Sequence, residues 1–133
     1  MHKILIAYDG TEPSKRALAT AAMLGKAFGA HLSVVSVVPQ RPGRSPIDPW
    51  DDRQVHAEEL LEARALLRAE GLDAELIEPV GDPAIMIEQV AERGGYDTVV
   101  VGARGSNALG RFIQGSVSEH VATHATTTVL VAR

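Results

Sequence analysis

Short apolar runs alternate along the chain with longer segments in which apolar residues recur every three or four positions. The short runs are typical of strands buried on both faces of a sheet, and the longer segments are typical of helices that bury one side. Predicted strands cover residues 3–8, 31–38, 73–80, 98–101 and 127–131. Predicted helices cover residues 12–28, 53–70, 82–94 and 115–124.

The alternation of strands and helices predicts right-handed crossovers and a parallel sheet with helices on both faces, which is a doubly wound α/β fold. The first helix has clear signals at its ends, because Thr11 can cap it, Pro13 suits its first turn and Gly29 follows it. The third strand contains acids and Pro79, so we expect it at a sheet edge. A length of 133 residues predicts one domain over 1–133.

Composition and charge narrow the class of protein. Apolar residues make up 45% and charged residues 23%, as in globular proteins, and the net charge of -4 argues against a general electrostatic interaction with nucleic acid. The absence of cysteine excludes disulfides, thiolate zinc sites and cysteine nucleophiles. The first apolar run is shorter than a signal-peptide core, and no run approaches the roughly 18 residues that would span a bilayer. We therefore expect a cytoplasmic protein without a membrane partner.

In open α/β sheets, ligands bind beyond the carboxyl ends of the strands, where the strand order reverses. Asp9 follows the first predicted strand, Val38 and Pro39 end the second, and Gly81 follows the third. The fourth strand leads directly into a glycine-rich loop that starts at Gly102. These positions are therefore expected at one rim of the sheet.

The glycine-rich loop has the pattern Gly-x2-Gly-x9-Gly-Ser, formed by Gly102, Gly105, Gly115 and Ser116. Glycine lets a backbone approach a phosphate group, and the N–H groups and dipole of a helix starting at Gly115 favour an anion. Arg104 and Arg111 lie between the two glycine groups, and either could bind phosphate oxygens. The loop fits neither a Walker A motif nor the G-x-G-x-x-G fingerprint. The alternative is that the glycines only end a strand, make a turn and start a helix.

This glycine-serine pattern resembles the nucleotide-binding signature of the ATP-binding class of universal stress proteins. The resemblance extends over essentially the whole chain, including the opening segment 3–11 and the segment 116–121. It implies a Rossmann-like, adenine nucleotide alpha hydrolase-like fold with a five-stranded parallel sheet in the order 3-2-1-4-5. One departure is Thr128, because the family commonly has a proline just before its last strand.

The resemblance also implies an adenine-nucleotide site for ATP, ADP or AMP, with Mg²⁺ present only as a companion of the nucleotide. Asp9 and Ala7 would flank the adenosine, and the backbone of Val37 would contact the adenine. The ribose and the phosphates would be held by residues of the fourth strand and the loop after it: Val101, Gly102, Arg104, Gly105, Gly115, Ser116 and Val117. From the sequence alone, Asp9 has a second interpretation as a cap or turn residue of the first helix.

The last predicted strand has an apolar edge at 129–131 with nothing after it to cover that edge. Two copies that pair antiparallel here would form a homodimer, which the resemblance also suggests. The alternative is a short edge blunted by Arg133.

The resemblance implies a nucleotide-dependent regulatory or stress-response module. One alternative is a slow ATPase, although Asp9 is the only base evident and the two arginines could serve only to compensate charge. Another is a dimeric interaction module with a degenerate pocket.

A zinc pair at His120 and His124 lacks a third ligand. The acids Asp48, Asp51 and Asp52 lack the glycine and closing glutamate of an EF-hand loop, so we expect no dedicated metal site.

Overall fold

The computed structural model describes residues 1–39, 49–102 and 127–132. For residues 39 and 49–54 it describes the backbone alone. The strands are β1 (Lys3–Ala7), β2 (His31–Val35), β3 (Val38–Pro39), β4 (Glu75–Ile77), β5 (Val80–Gly81), β6 (Thr98–Gly102) and β7 (Thr128–Ala132). The helices are α1 (Glu12–Phe28), α2 (Pro49–Ala69) and α3 (Pro83–Arg93).

Five strands form a parallel sheet in the order β4-β2-β1-β6-β7. Counted along the chain within this sheet, the order is the expected 3-2-1-4-5. The central strand β1 pairs with β2 through Ile4 and Leu32 and with β6 through Ile4 and Thr98. The predicted doubly wound parallel fold is confirmed, with β4 at one edge as expected and β7 at the other.

The side chains of β1 alternate between the two faces of the sheet. Ile4 and Ile6 pack in one buried cluster with residues of α1 and α2, while Leu5 and Ala7 pack in a second cluster with residues of α3. All four side chains are at most 1% exposed. Helices therefore cover both faces of the sheet, which explains why the strand reads as a continuous apolar run.

The ends of α1 follow from local chemistry, and its predicted limits are confirmed. Thr11 accepts a hydrogen bond from the backbone N–H of Ser14 at 3.4 Å, and Gly29 ends the helix with φ of 64°. α3 begins in the same way, because Asp82 accepts a hydrogen bond from the N–H of Ile85 at 3.2 Å. These caps satisfy N–H groups that have no partner inside the helix.

Two predicted strands are each divided in the structure. The apolar run 31–38 leaves the main sheet after Val35, and Val38–Pro39 pairs instead with Val80–Gly81 in a separate two-stranded sheet. The predicted strand 73–80 is divided into β4 and β5, because Pro79 has no N–H group to continue the ladder. α2 begins at Pro49, one turn before the predicted start at 53. The predicted helix 115–124 lies outside the described residues.

Candidate functional site

The carboxyl ends of β2, β1 and β6 lie side by side, so the chain segments that leave these strands meet at one rim of the sheet. Ala7 is paired with Val35 in β2, and the neighbouring Ile6 is paired with Val100 in β6. Ala7, Val37 and Val101 belong to one buried cluster on the α3 face. The structure thus brings together the five predicted site residues that it describes, which are Ala7, Asp9, Val37, Val101 and Gly102.

The remaining predicted site residues lie outside the described part of the chain: Arg104, Gly105, Gly115, Ser116 and Val117. The same applies to Arg111, to the histidine pair at 120 and 124, and to Asp48. Within the described ranges, no group of three histidine, aspartate or glutamate side chains could hold a metal ion.

Asp9 is held in the turn between β1 and α1. Its Oδ1 atom accepts hydrogen bonds from the backbone N–H of Thr11 at 3.1 Å and from the Thr11 hydroxyl at 2.5 Å. Its own N–H donates to the Ser14 hydroxyl at 3.3 Å. Gly10 follows with φ of 79°, a conformation that glycine adopts at little cost. The turn interpretation of Asp9 is therefore correct, and the turn fixes this carboxylate at the rim.

Gly102 contacts the first turn of α1. A Cβ atom at this position would lie 2.4 Å from the carbonyl carbon of Pro13 and 2.5 Å from its oxygen. No side chain can be accommodated so close to backbone atoms. The sequence suggested that this glycine gives a phosphate group room to approach. In the structure, Gly102 is required because α1 packs on the end of β6, whether or not an anion binds nearby.

Val37 lies in the two-residue segment between β2 and β3, and its backbone groups face the rim. Ser36 and Val38 donate their N–H groups away from β1, to the carbonyls of Ile77 at 3.0 Å and Pro79 at 2.8 Å. Because successive residues of an extended chain direct their polar groups to opposite sides, the N–H and C=O of Val37 point toward β1. The paired register of β1 and β2 ends before this point, at Ala7 and Val35.

A partly buried polar cluster formed by Ser36, His56 and Glu59 lies beside this segment and was not predicted from the sequence. The Ser36 hydroxyl lies 2.5 Å from His56 Nδ1 and donates to Glu59 Oε2 at 3.1 Å. His56 Nδ1 lies 3.1 Å from the same carboxylate oxygen, and the two side chains are 17% and 19% exposed. Two features of the sequence could have indicated this cluster. Ser36 interrupts an apolar run, and His56 and Glu59 lie one turn apart on the same helix.

The acids of this region lie close enough for the charge of one to change the pKa of its neighbours. Burial raises the pKa of Glu59, the charge of Asp9 adds to that rise, and the His56 and Ser36 contacts oppose it without cancelling it. Burial also raises the pKa of Tyr8, as do its hydrogen bond to Glu62 and the charges of Glu62, Glu59 and Asp9. The Tyr8 hydroxyl therefore stays protonated and donates to the Glu62 carboxylate.

The cluster contains serine, histidine and glutamate but does not have the geometry of a hydrolytic triad. In a triad, the two ring nitrogens contact different partners, one the serine and the other the acid. Here Ser36 Oγ and Glu59 Oε2 both contact Nδ1 of His56, and the serine directs its proton to the acid. The serine, histidine and acid therefore do not form the relay of a hydrolytic triad, and the cluster links the end of β2 to α2.

The model of the universal stress protein family matches residues 1–133. The chain belongs to this family. A universal stress protein from Thermus aquaticus is 37% identical over 135 residues, with 98% of this chain and 97% of the relative covered. Among the helices in the described ranges, none has the length and apolar character that a membrane crossing needs.

Crystal structures of other universal stress proteins share the fold. The protein from Archaeoglobus fulgidus, in complex with dAMP, has a TM-score of 0.75 and 23% identity, with 100% of this chain and 98% of that chain covered. A family protein from Arabidopsis thaliana with AMP bound has a TM-score of 0.62 and 23% identity, with 99% and 91% covered. At 23% identity, these comparisons show that the fold is shared.

Proposed function

We propose that this universal stress protein binds an adenine nucleotide at the rim formed by β2, β1 and β6, and acts as a regulatory or stress-response module. The observation that carries the proposal is that Ser36 and Val38 donate their N–H groups to Ile77 and Pro79, away from β1. Strand alternation then directs the Val37 backbone groups to the side where Asp9 leaves the sheet. Relatives of the same fold carry dAMP or AMP, which supports this class of ligand.

Backbone groups such as those of Val37 suit the adenine base. Adenine presents an amino donor next to a ring-nitrogen acceptor, and one residue's C=O and N–H complement such a pair. Ala7 and Val101, which are 1% and 0% exposed, belong to the buried cluster on the α3 side and would form the apolar support beneath the adenosine. Asp9 would accept hydrogen bonds from the ribose hydroxyls, since a carboxylate is an acceptor-only group.

The phosphates would be bound by the loop after β6. Gly105, Gly115, Ser116 and Val117 would offer backbone N–H groups and a hydroxyl, and Arg104 would add a positive charge. ATP, ADP and AMP all fit this scheme. A Mg²⁺ ion would arrive with the nucleotide and be held mainly by phosphate oxygens.

Turnover of ATP would be slow at most. Phosphoryl transfer needs a positioned nucleophile and compensation of the developing charge. In the described ranges, the Thr11 and Ser14 hydroxyls beside Asp9 donate their protons within the turn. Ser36 and His56 are bound to each other and to Glu59. Rapid multiple turnover by the purified protein would favour the enzyme hypothesis instead.

We also propose a homodimer formed by antiparallel pairing of two β7 strands. β7 is an edge of the five-stranded sheet, and its Val131 side chain is 39% exposed. Unpaired strand edges are templates for pairing.

A cytoplasmic location remains our expectation, which fractionation of cells would test.

A matched pair of variants tests the nucleotide site. Gly115→Val blocks the approach of the backbone to phosphate, whereas Ala108→Val adds comparable bulk elsewhere in the same loop. We expect ATP to raise the melting temperature of the wild type and of Ala108→Val, but not of Gly115→Val. An equal rise in all three proteins would contradict the proposed phosphate site.

A further inference from the structure

Glu59 lies between the two chain segments proposed to hold the adenosine. Its Oε2 atom accepts the hydrogen bond of Ser36, the residue before Val37. On its other side, the Glu59 Cγ atom lies 3.6 Å from the position of a Cβ on Gly10, the residue after Asp9. One α2 side chain thus accepts a hydrogen bond from the residue before Val37 and lies beside the Asp9 turn.

The segment around Val37 needs such a support because it is a junction between two sheets. β2 ends at Val35 in the five-stranded sheet, and β3 begins at Val38 in the two-stranded sheet. Ser36 anchors this junction through its N–H to Ile77 at 3.0 Å and through its hydroxyl to His56 and Glu59. With Ser36 2% exposed, the anchor is shielded from competing water.

The Asp9 turn needs support for a different reason. Asp9 and Glu59 are both acids, and their charges repel. His56 faces Glu59 from the same helix and offsets this repulsion when it is protonated, while the Tyr8 hydroxyl is held by Glu62. The position of Glu59 beside Gly10 is therefore maintained by its contacts with Ser36 and His56.

We propose that Glu59 is a positioning residue for adenosine. Through Ser36 it sets the direction of the Val37 backbone groups, and by its place beside Gly10 it limits how closely the Asp9 turn approaches α2. The separation between the base-binding and ribose-binding groups then depends on this one side chain. The proposal rests on the adenine-nucleotide site described above and adds to it residues that do not touch the ligand.

The test compares ATP with tripolyphosphate, which presents the same phosphate chain without adenosine. Glu59→Ala should weaken ATP binding about tenfold, the effect of about one lost hydrogen-bonded contact, and leave the tripolyphosphate affinity unchanged. Glu59→Gln keeps an acceptor for Ser36 and should recover most of the ATP affinity. Glu58→Gln, at an exposed position of the same helix, is the charge control and should bind ATP as the wild type does.

An amide spectrum provides a second readout that general destabilisation would not reproduce. In ¹H–¹⁵N spectra without nucleotide, the Val37 and Gly10 signals should shift in Glu59→Ala and in Ser36→Ala, while signals of β7 stay in place. Equal ATP binding by Glu59→Ala and wild type would overturn the positioning role alone. Absence of ATP binding by the wild type would overturn the nucleotide site and this role together.

Discussion

The carbonyl carbon of Pro13 lies 2.4 Å from the position that a Cβ atom on Gly102 would occupy. The first turn of α1 therefore rests directly on the backbone at the end of β6. This contact joins the Asp9 turn, which leads into α1, to the point where the glycine-rich loop begins. The contact thereby fixes the Asp9 turn relative to the start of the glycine-rich loop.

Gly102→Ala should destabilise the protein by about 3 kcal/mol, because backbone atoms must move to admit the methyl group. The control is Gly29→Ala, where nothing lies within 4 Å of a new Cβ and only the positive φ of 64° is unfavourable. That control should cost about 1 kcal/mol. Urea unfolding gives both values, and similar costs for the two variants would argue against the close contact.

Asp97 should stabilise the start of β1 above acidic pH. Burial acts to raise its pKa, but hydrogen bonds from the His2 N–H, the Thr98 hydroxyl and the Lys3 N–H lower the pKa below its ordinary 3.8. The folded state thus holds the proton less tightly than the unfolded state does. Its contribution is complete above about pH 3.8 and is lost as the pH falls through the lower folded value.

Asp97→Asn should therefore cost about 1–3 kcal/mol at neutral pH, and the cost should shrink below pH 3.8. Urea unfolding at a series of pH values measures the difference from the wild type. Glu78→Gln is the control, because Glu78 is an exposed acid between β4 and β5. A cost for Asp97→Asn that does not change with pH would refute the electrostatic explanation.

Glu59 should have the opposite effect on stability. Its folded-state pKa is raised above 4.5, mainly by burial, so the folded state holds the proton more tightly than the unfolded state. The free energy of unfolding should fall as the pH rises from 4.5 through the folded value.

Glu59→Gln should abolish that fall, so its stability relative to the wild type should increase with pH. Chemical unfolding of the two proteins across this range provides the comparison, with Glu58→Gln as the exposed control. If the wild type and Glu59→Gln lose stability in parallel, the buried carboxylate is not the source of the pH dependence.

The proposed dimer depends on the exposed edge of β7. Val131→Lys places a charge on this edge, a device that keeps sheet edges from pairing, and it should convert a dimer to a monomer. Val55→Lys, at an exposed apolar position of α2, should leave the dimer intact. Light scattering after size exclusion gives the mass, and a dimeric Val131→Lys would exclude pairing through β7.

Features set by local chemistry could be predicted from the sequence. Thr11 and Gly29 delimit α1 because each acts on its own helix end. The rim positions of Asp9 and Gly102 followed from the rule for parallel strands, although the contact of Gly102 with Pro13 did not. That contact depends on how α1 crosses the sheet, which no local pattern specifies.

The break after Val35 could not be predicted for a related reason. The apolar run continues through Val38, and only the positions of the Ile77 and Pro79 carbonyls in space divide it. Ser36 and Glu59 are likewise 23 residues apart, and their contact exists only because α2 packs on β2.

Calorimetric titration of the purified protein with ATP and AMP, each with Mg²⁺, tests the central claim most directly. The proposed site predicts saturable binding of both nucleotides with one site per chain, and loss of the ATP signal in Gly115→Val. Absence of a binding signal for both nucleotides, from protein shown by mass spectrometry to carry no nucleotide after purification, would contradict it.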